Sequence, residues 1–323
     1  MISALLFPGQ GSQEPGMGRD LAETDRESMD LWKKAERISG IPLREIYWDG
    51  DGTGMAETRH LQPALTVANL TLWLKLAPRL SPGAAAGHSL GEYSALAAAG
   101  VLPLDTILEL VSLRGRLMSE ADPEGKGAMA AIVKLPLEQV EACVAESAQS
   151  THELILIANY NTPTQFVVSG SKAAIADIQS RTKDARGRAL PLAVSGAFHS
   201  PMMEEAASEL AKAIDGVSKT AWNKARFPVY CNADPGPQTD ADAIKTLLKK
   251  QMTSSVYWID TIGRQWDNGC RIFVECGPKT VLAKMVDPIL KSHAGADAGQ
   301  EAEPAPWRTI NVGNAAQVQD FSL

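Results

Sequence analysis

The sequence predicts an α/β fold in which a large domain, built on a mostly parallel sheet, carries a small inserted ferredoxin-like subdomain. Three observations carry this reading. Strand-like and helix-like segments alternate along the chain, as in a parallel sheet joined by crossover helices. The segment Gly87-His88-Ser89-Leu90-Gly91 fits G-x-S-x-G, the nucleophile elbow, a sharp strand-to-helix turn that lifts a serine above an α/β-hydrolase-like sheet. Residues from Gly127 to Leu192 read as βαββαβ, the ferredoxin-like order. The large domain is therefore expected to be discontinuous, covering 1–125 and 194–323, with the small subdomain at 126–193.

The elements follow in order. Met1 to Phe7 lacks a basic leader, is too short for a signal peptide and reads as a first buried strand. It runs into the loop Pro8-Gly9-Gln10-Gly11-Ser12-Gln13. Helical patterns are expected near Asp25 to Ile38 and Leu65 to Leu76. Between them, Asp49-Gly50-Asp51-Gly52-Thr53-Gly54 resembles the start of a calcium loop. The twelfth position of such a loop needs a bidentate glutamate and here holds His60, so the segment reads as a polar surface turn. Ala84-Ala85-Ala86 is a short apolar strand, and Glu92 to Ala99 an alanine-rich helix. The glycines of the turn between them let strand and helix pack closely. A further helix spans Leu104 to Glu120.

The small subdomain is expected to comprise strand Ala128 to Val133, helix Leu137 to Ser147 and strand Leu154 to Ala158. A turn with Asn161 and Pro163 follows, then strand Phe166 to Ser169, helix Ala173 to Arg181 and strand Ala189 to Leu192. The large domain resumes with helix Met202 to Ile214, strand Phe227 to Tyr230 and helix Ala241 to Lys250. Strand Ile272 to Glu275 and helix Val281 to Leu290 come next. His293 to Pro306 is rich in Ala, Gly, Glu and Pro, with almost no large apolar group. It cannot bury enough surface to fold alone and is expected to be a linker or mobile loop. A last strand falls near Thr309 to Val312.

Composition narrows the function. The 323 residues are 45% hydrophobic and 21% charged, an ordinary globular composition with room for a large core. The formal charge of -7 and the absence of a long basic window argue against a nucleic-acid partner. No apolar run reaches membrane-spanning length. Cys143, Cys231, Cys270 and Cys276 have neither metal-site spacing nor disulfide-scaffold density. The expectation is a reducing, cytoplasmic setting with no bound metal.

The chemistry starts from Ser89. The turn points the Leu90 amide toward the place where an oxyanion would form. A serine hydroxyl is a poor nucleophile until a base takes its proton. Of His60, His88, His152, His199 and His293, His199 is the best placed. It lies in a loop that ends at Ser200 and Pro201, a helix N-cap and first helical residue. That helix end favours neutral imidazole, the form a general base needs. His88 adjoins the serine but should point away from it. Arg114 falls on the apolar stripe of its helix with Ile107, Leu110, Val111, Leu117 and Met118. An inward guanidinium must be paired. Its partner is either an internal carboxylate or a carboxylate of the substrate. Arg116 falls on the polar side. No Asp or Glu stands out as the third member of a Ser-His-acid triad, so a peptide carbonyl is the other candidate to orient the ring.

Together, Gly9-Gln10-Gly11-Ser12-Gln13, Gly87-His88-Ser89-Leu90-Gly91-Glu92, Arg114 and Gly196-Ala197-Phe198-His199-Ser200 resemble the malonyl-CoA:acyl carrier protein transacylases. These are the acyl-loading enzymes of fatty acid synthesis, also found as polyketide synthase domains. Asn159 to Gln165 and Glu275-Cys276-Gly277-Pro278 fit the same family, and the resemblance covers roughly Met1 to Val286. It implies ping-pong transfer of a malonyl group from malonyl-CoA to the phosphopantetheine thiol of acyl carrier protein through a malonyl-serine ester. Ser89 would be the nucleophile and His199 the base. Gln10 and Leu90 amides would form the oxyanion hole, and Arg114 would clamp the malonyl carboxylate. A main-chain carbonyl near Gln251 would orient the histidine. Gln62, Asn161 and Gln165 would be further pocket residues. Phe198 before His199 resembles malonyl-selective members, since a bulky ring leaves less room for a branched α-carbon. Malonyl-CoA is substrate, and no cofactor is implied. A monomer is expected. The rival readings are a serine thioesterase or hydrolase, a stand-alone polyketide acyltransferase and a non-catalytic carrier-protein scaffold. The basic residues Arg181, Lys183, Arg186 and Arg188 read either as a solvated turn or as a contact for CoA phosphates or an acidic carrier.

Overall fold

The computed structural model describes residues 1–297 and 306–323. The described strands are β1 Ile2–Phe7, β2 Ala84–Gly87, β3 Gly127–Val133, β4 Ile155–Thr162, β5 Gln165–Ser171, β6 Arg188–Pro191, β7 Val229–Tyr230, β8 Pro237–Gln238, β9 Cys270–Cys276 and β10 Arg308–Val312. The α-helices are α1 Arg19–Thr24, α2 Arg26–Ser39, α3 Thr58–Leu76, α4 Gly91–Ala98, α5 Leu104–Glu120, α6 Leu137–Thr151, α7 Lys172–Asp184, α8 Glu204–Gly216, α9 Ala241–Lys250, α10 Trp258–Asp267, α11 Ala283–Asp297 and α12 Ala315–Gln319.

The larger sheet has the order β10-β9-β1-β2-β7-β8. It is parallel from β10 to β7 and closes with an antiparallel β7–β8 pair. From Ala4 to Phe7, β1 is an unbroken apolar run because both of its faces are covered there, as a parallel sheet requires. Leu5 and Phe7 face a core shared with α3, α4 and α5. Ala4 and Leu6 face the opposite core, with Trp258 of α10 and Phe273. Both cores leave the carboxyl ends of β1, β2 and β7 side by side, where loops of a parallel sheet gather ligands.

The smaller sheet has the order β4-β5-β3-β6, with antiparallel pairs throughout. Its elements run β3-α6-β4-β5-α7-β6 along the chain. Strand alternation divides its side chains. Ala130, Ile132, Phe166 and Val168 pack under α6 and α7. Met129, Ala131, Ala158 and Val167 turn toward the larger core.

The sequence reading needs three corrections. α3 begins at Thr58 rather than near Leu65, with Pro63 inside it. Proline normally ends a helix, but here the flanking Leu61, Gln62 and Ala64 are all buried, which favours continuing the helix through it. α10 carries no element in the sequence reading. It was hidden because Thr261 and Gln265 interrupt its apolar face and because Trp, Ile, Thr and Asp are weak helix formers. The expected linker at His293 is helical at its start, because α11 runs through it. Gly263 of α10 leaves room for the His293 ring, whose Nε2 lies 2.8 Å from Asp267 Oδ1. Residues 298–305 of that stretch lie outside the described residues.

Candidate active site

The site forms where β2 turns into α4. Gly87 ends the strand and Gly91 begins the helix. A Cβ at Gly87 would collide with the Gly91 backbone, and one at Gly91 with the Phe7 carbonyl. Only glycines let the turn close and seat on β1. Ser89, between them, has φ 49°, a left-handed conformation that costs a residue with a side chain.

Ser89 Oγ lies 2.7 Å from His199 Nε2. His199 Nδ1 lies 3.1 Å from the Gln251 carbonyl and 3.0 Å from the Ser254 carbonyl. Two carbonyls can only accept, so Nδ1 carries the hydrogen and Nε2 is bare. The serine hydroxyl therefore donates to Nε2. Burial first, then the Arg114 and His88 neighbours, push the imidazole down to about 3, while the two carbonyls oppose the shift. The ring is neutral at physiological pH. The orienting group is main chain, as expected near Gln251, with Ser254 as a second acceptor absent from the sequence reading.

Arg114 is 1% exposed. Its Nη1 donates to Gln62 Oε1 at 2.9 Å, and its Nη2 to Ser89 Oγ at 3.1 Å and Gln251 Oε1 at 3.0 Å. The guanidinium stands 5.7 Å over the Tyr93 ring. Its Nε has no hydrogen-bond partner among the described residues. Amide oxygens and a hydroxyl meet the fork, and no described carboxylate forms an ion pair with it. Arg116, by contrast, pairs with Glu120 at the surface.

A pocket opens onto these groups, with Gln10, Leu90, Gln62, Met118, Met129 and Phe198 among its lining. The main-chain N–H groups of Gln10 and Leu90 are not engaged by another group among the described residues. Gln62 is held from behind, its Nε2 donating to Met118 Sδ at 3.2 Å. His88 also lines the pocket. Its Nε2 lies 2.8 Å from Asn161 Oδ1, so Asn161 stands behind His88.

Gln165 is not brought to this pocket. It begins β5 after the turn from Thr162 and lines a separate groove with Lys134 and Lys284. The pocket-lining residue of β4 is Asn159. Three residues further along a strand is about 10 Å, which carries Thr162 and its partner Gln165 beyond the site. The other histidines are also elsewhere. His60 Nδ1 meets the Gly54 carbonyl at 3.1 Å, and His152 caps α6.

The sequence reading missed Asn232. Its Oδ1 accepts from the Ser89 N–H at 2.6 Å, and its Nδ2 donates to the Gly87 carbonyl at 2.7 Å. A polar residue just past the carboxyl end of β7, a strand parallel to β2, was the available signal. Met129, Leu192 and Val194 of the pocket wall were also missed, because strand alternation alone did not say which face met the large domain.

The chain matches the acyl transferase domain over residues 4–320. It is 38% identical over 291 residues to a malonyl CoA-acyl carrier protein transacylase of Haemophilus influenzae, covering 89% of this chain and 92% of that protein. Among solved structures it is similar to an acyl carrier protein S-malonyltransferase from Vibrio cholerae, with a TM-score of 0.88, 34% identity and 99% of both chains covered. It is equally similar in shape, with a TM-score of 0.88, to a malonyl-transacylase solved in complex with its type II PKS acyl-carrier protein. That pair shares 33% identity over 99% of this chain and 98% of the other.

Proposed function

The chain belongs to the acyl transferase domain family, among the malonyl CoA-acyl carrier protein transacylases, and from that premise we propose how its residues divide the reaction. It transfers a malonyl group from malonyl-CoA to the thiol of acyl carrier protein. The observation that carries the assignment of roles is that Ser89 Oγ sits between a neutral imidazole at 2.7 Å and a buried guanidinium at 3.1 Å.

His199 Nε2 takes the Ser89 proton as Oγ attacks the malonyl thioester carbon. The tetrahedral oxyanion is received by the free N–H groups of Gln10 and Leu90. Such donors lower the barrier by about 3 kcal/mol each in related acyl transfer. Collapse breaks the C–S bond, and the imidazolium returns the proton to the departing CoA sulfur. The carrier's phosphopantetheine thiol then gives its proton to His199 and attacks the ester, and Ser89 Oγ recovers a proton as it leaves. Arg114, held by Gln62 and Gln251, meets the free malonyl carboxylate in a charge-assisted bond, stronger than one between neutral groups. Phe198, 5% exposed, limits space at the α-carbon. One methyl group changes selectivity by only about 1–3 kcal/mol, so Phe198 sets a preference. The turn at Ser89 acts as a nucleophile elbow on an α/β-hydrolase-like sheet. The reading invokes no cofactor.

The supply of fatty acid elongation is the pathway we assign. The likeness to a polyketide malonyl-transacylase favours polyketide loading as the second reading. Intact-protein mass after brief mixing with malonyl-CoA, followed by a chase with phosphopantetheinylated carrier, tests the mechanism. One malonyl group on Ser89 that moves to the carrier is expected. An adduct that decays to free malonate at the same rate without carrier would make the protein a hydrolase.

A further inference from the structure

Ser89 is held in its left-handed conformation from both sides of its backbone. Its N–H donates to Asn232 Oδ1 at 2.6 Å, and its carbonyl accepts from Gln251 Nε2 at 2.9 Å. Both holders converge on one atom. Glu92 Oε2 accepts from the Asn232 main-chain N–H at 2.8 Å and from Gln251 Nε2 at 3.0 Å. The two amide hydrogens of Gln251 are thus divided between Ser89 and Glu92. Its Oε1 accepts from Arg114, and its main-chain carbonyl from His199.

Glu92 is fully buried, one turn into α4 from Ser89. Its Oε1 has no hydrogen-bond partner among the described residues. A buried carboxyl with only the Asn232 and Gln251 donors and the weakly donating Cys231 thiol beside it is an expensive group to keep. Burial pushes it up from the usual carboxylate range, against the pull of its hydrogen bonds and of Arg114. We infer that Glu92 is a positioning residue for acyl transfer: through Asn232 and Gln251 it fixes the strained Ser89 backbone, the Arg114 clamp and the His199 ring in one register. It touches none of the reacting atoms, and the inference rests on the transacylase reading above.

Two substitutions separate its hydrogen bonds from its charge. In Glu92→Gln the amide oxygen takes the place of Oε2 and can accept both bonds, while the charge is gone. In Glu92→Leu both bonds are lost. The measurement is the rate of acyl-enzyme formation by quenched-flow mass spectrometry, with malonyl-CoA and acetyl-CoA in parallel. Glu92→Gln is expected to acylate within a few-fold of the unaltered protein. Glu92→Leu is expected to acylate at least about 100-fold more slowly, the loss typical of a displaced reacting group, and to lose part of its preference for malonyl. A purely structural role would lower the melting temperature and leave that preference intact. Glu92→Leu acylating at the unaltered rate overturns the inference. So does Glu92→Gln falling as far as Glu92→Leu, because charge would then carry the effect. If Glu92→Leu does not fold, Asn232→Leu removes one arm alone. It should slow acylation while keeping the malonyl preference, since Gln251 still holds Arg114, and an unchanged rate overturns the inference. Absence of malonyl-enzyme from the unaltered protein overturns the transacylase reading and this inference with it.

Discussion

Arg114 touches the nucleophile and, through Gln251, the residue that aligns the base. Removing it should act on selectivity more than on the chemistry of a neutral acyl group. Arg114→Ala is expected to lower kcat/KM for malonyl-CoA by about 100-fold or more, with a much smaller loss for acetyl-CoA. Competition between the two donors, read by intact mass, checks this. Equal losses for both would mean that Arg114 only supports the fold. Lysine should not replace it, because a point charge cannot bridge Gln62 and Gln251 as the planar fork does. His199 gives a second residue-scale prediction. With its conjugate acid at about 3, the base form persists well below neutrality. Acylation kcat/KM should therefore stay flat from about pH 5 to about pH 8. A limb near pH 6.5, the ordinary histidine value, would show an imidazole more exposed than this one.

At the scale of elements, α11 depends on a single carboxylate. Glu275, at the end of β9, accepts from the main-chain N–H groups of Val281, Leu282 and Ala283. A helix end carries unpaired donors and a partial positive charge, and Glu275 satisfies both inside the core. Burial raises its carboxyl, while the same three N–H groups oppose the shift. Glu275→Ala strands two buried donors and one half-buried one and should cost about 2–4 kcal/mol, seen as a lower urea midpoint. A change within error would mean that water replaces the carboxylate there. The sheet-end turns are equally local in cause. At Gly87 and Gly91 a methyl group is too much, and Gly91→Ala should abolish acylation by moving Ser89, even where the chain still folds.

For the whole molecule, the sequence made the elements with a clean apolar pattern legible and left the others hidden. α5 has the predicted ends, Leu104 and Glu120, because its apolar stripe is regular. α10 was missed because its buried face, Trp258, Thr261, Ile262, Gln265 and Trp266, recurs at helical spacing but mixes polar with apolar side chains and so does not read as an apolar stripe. The mixed α/β architecture was legible, while the outer strand β8 is only two residues long and gave no signal. The same division holds in the site. Ser89, His199 and Arg114 stood out because each is chemically conspicuous in its local pattern. Asn232, Glu92 and the Ser254 carbonyl did not, because their roles arise only when loops from β2, β7 and α9 meet. Gln165 was misplaced because its distance from the serine depends on the length of β4.

One consequence follows from the place of β1 at the middle of the larger sheet. Its neighbours, β2 and β9, pair Ala4 with Ala84 on one side and with Phe273 on the other. β1 thus waits for β9, a strand from far later in the chain, before its second edge is covered. Such distant pairing slows folding and leaves an apolar strand open to wrong partners in the meantime. A nascent chain stalled before Cys270 should remain protease-sensitive through Ile2 to Phe7. One released past Val312 should become resistant in a single step, since β1, on which Gly91 of the nucleophile turn seats, is closed only when β9 arrives.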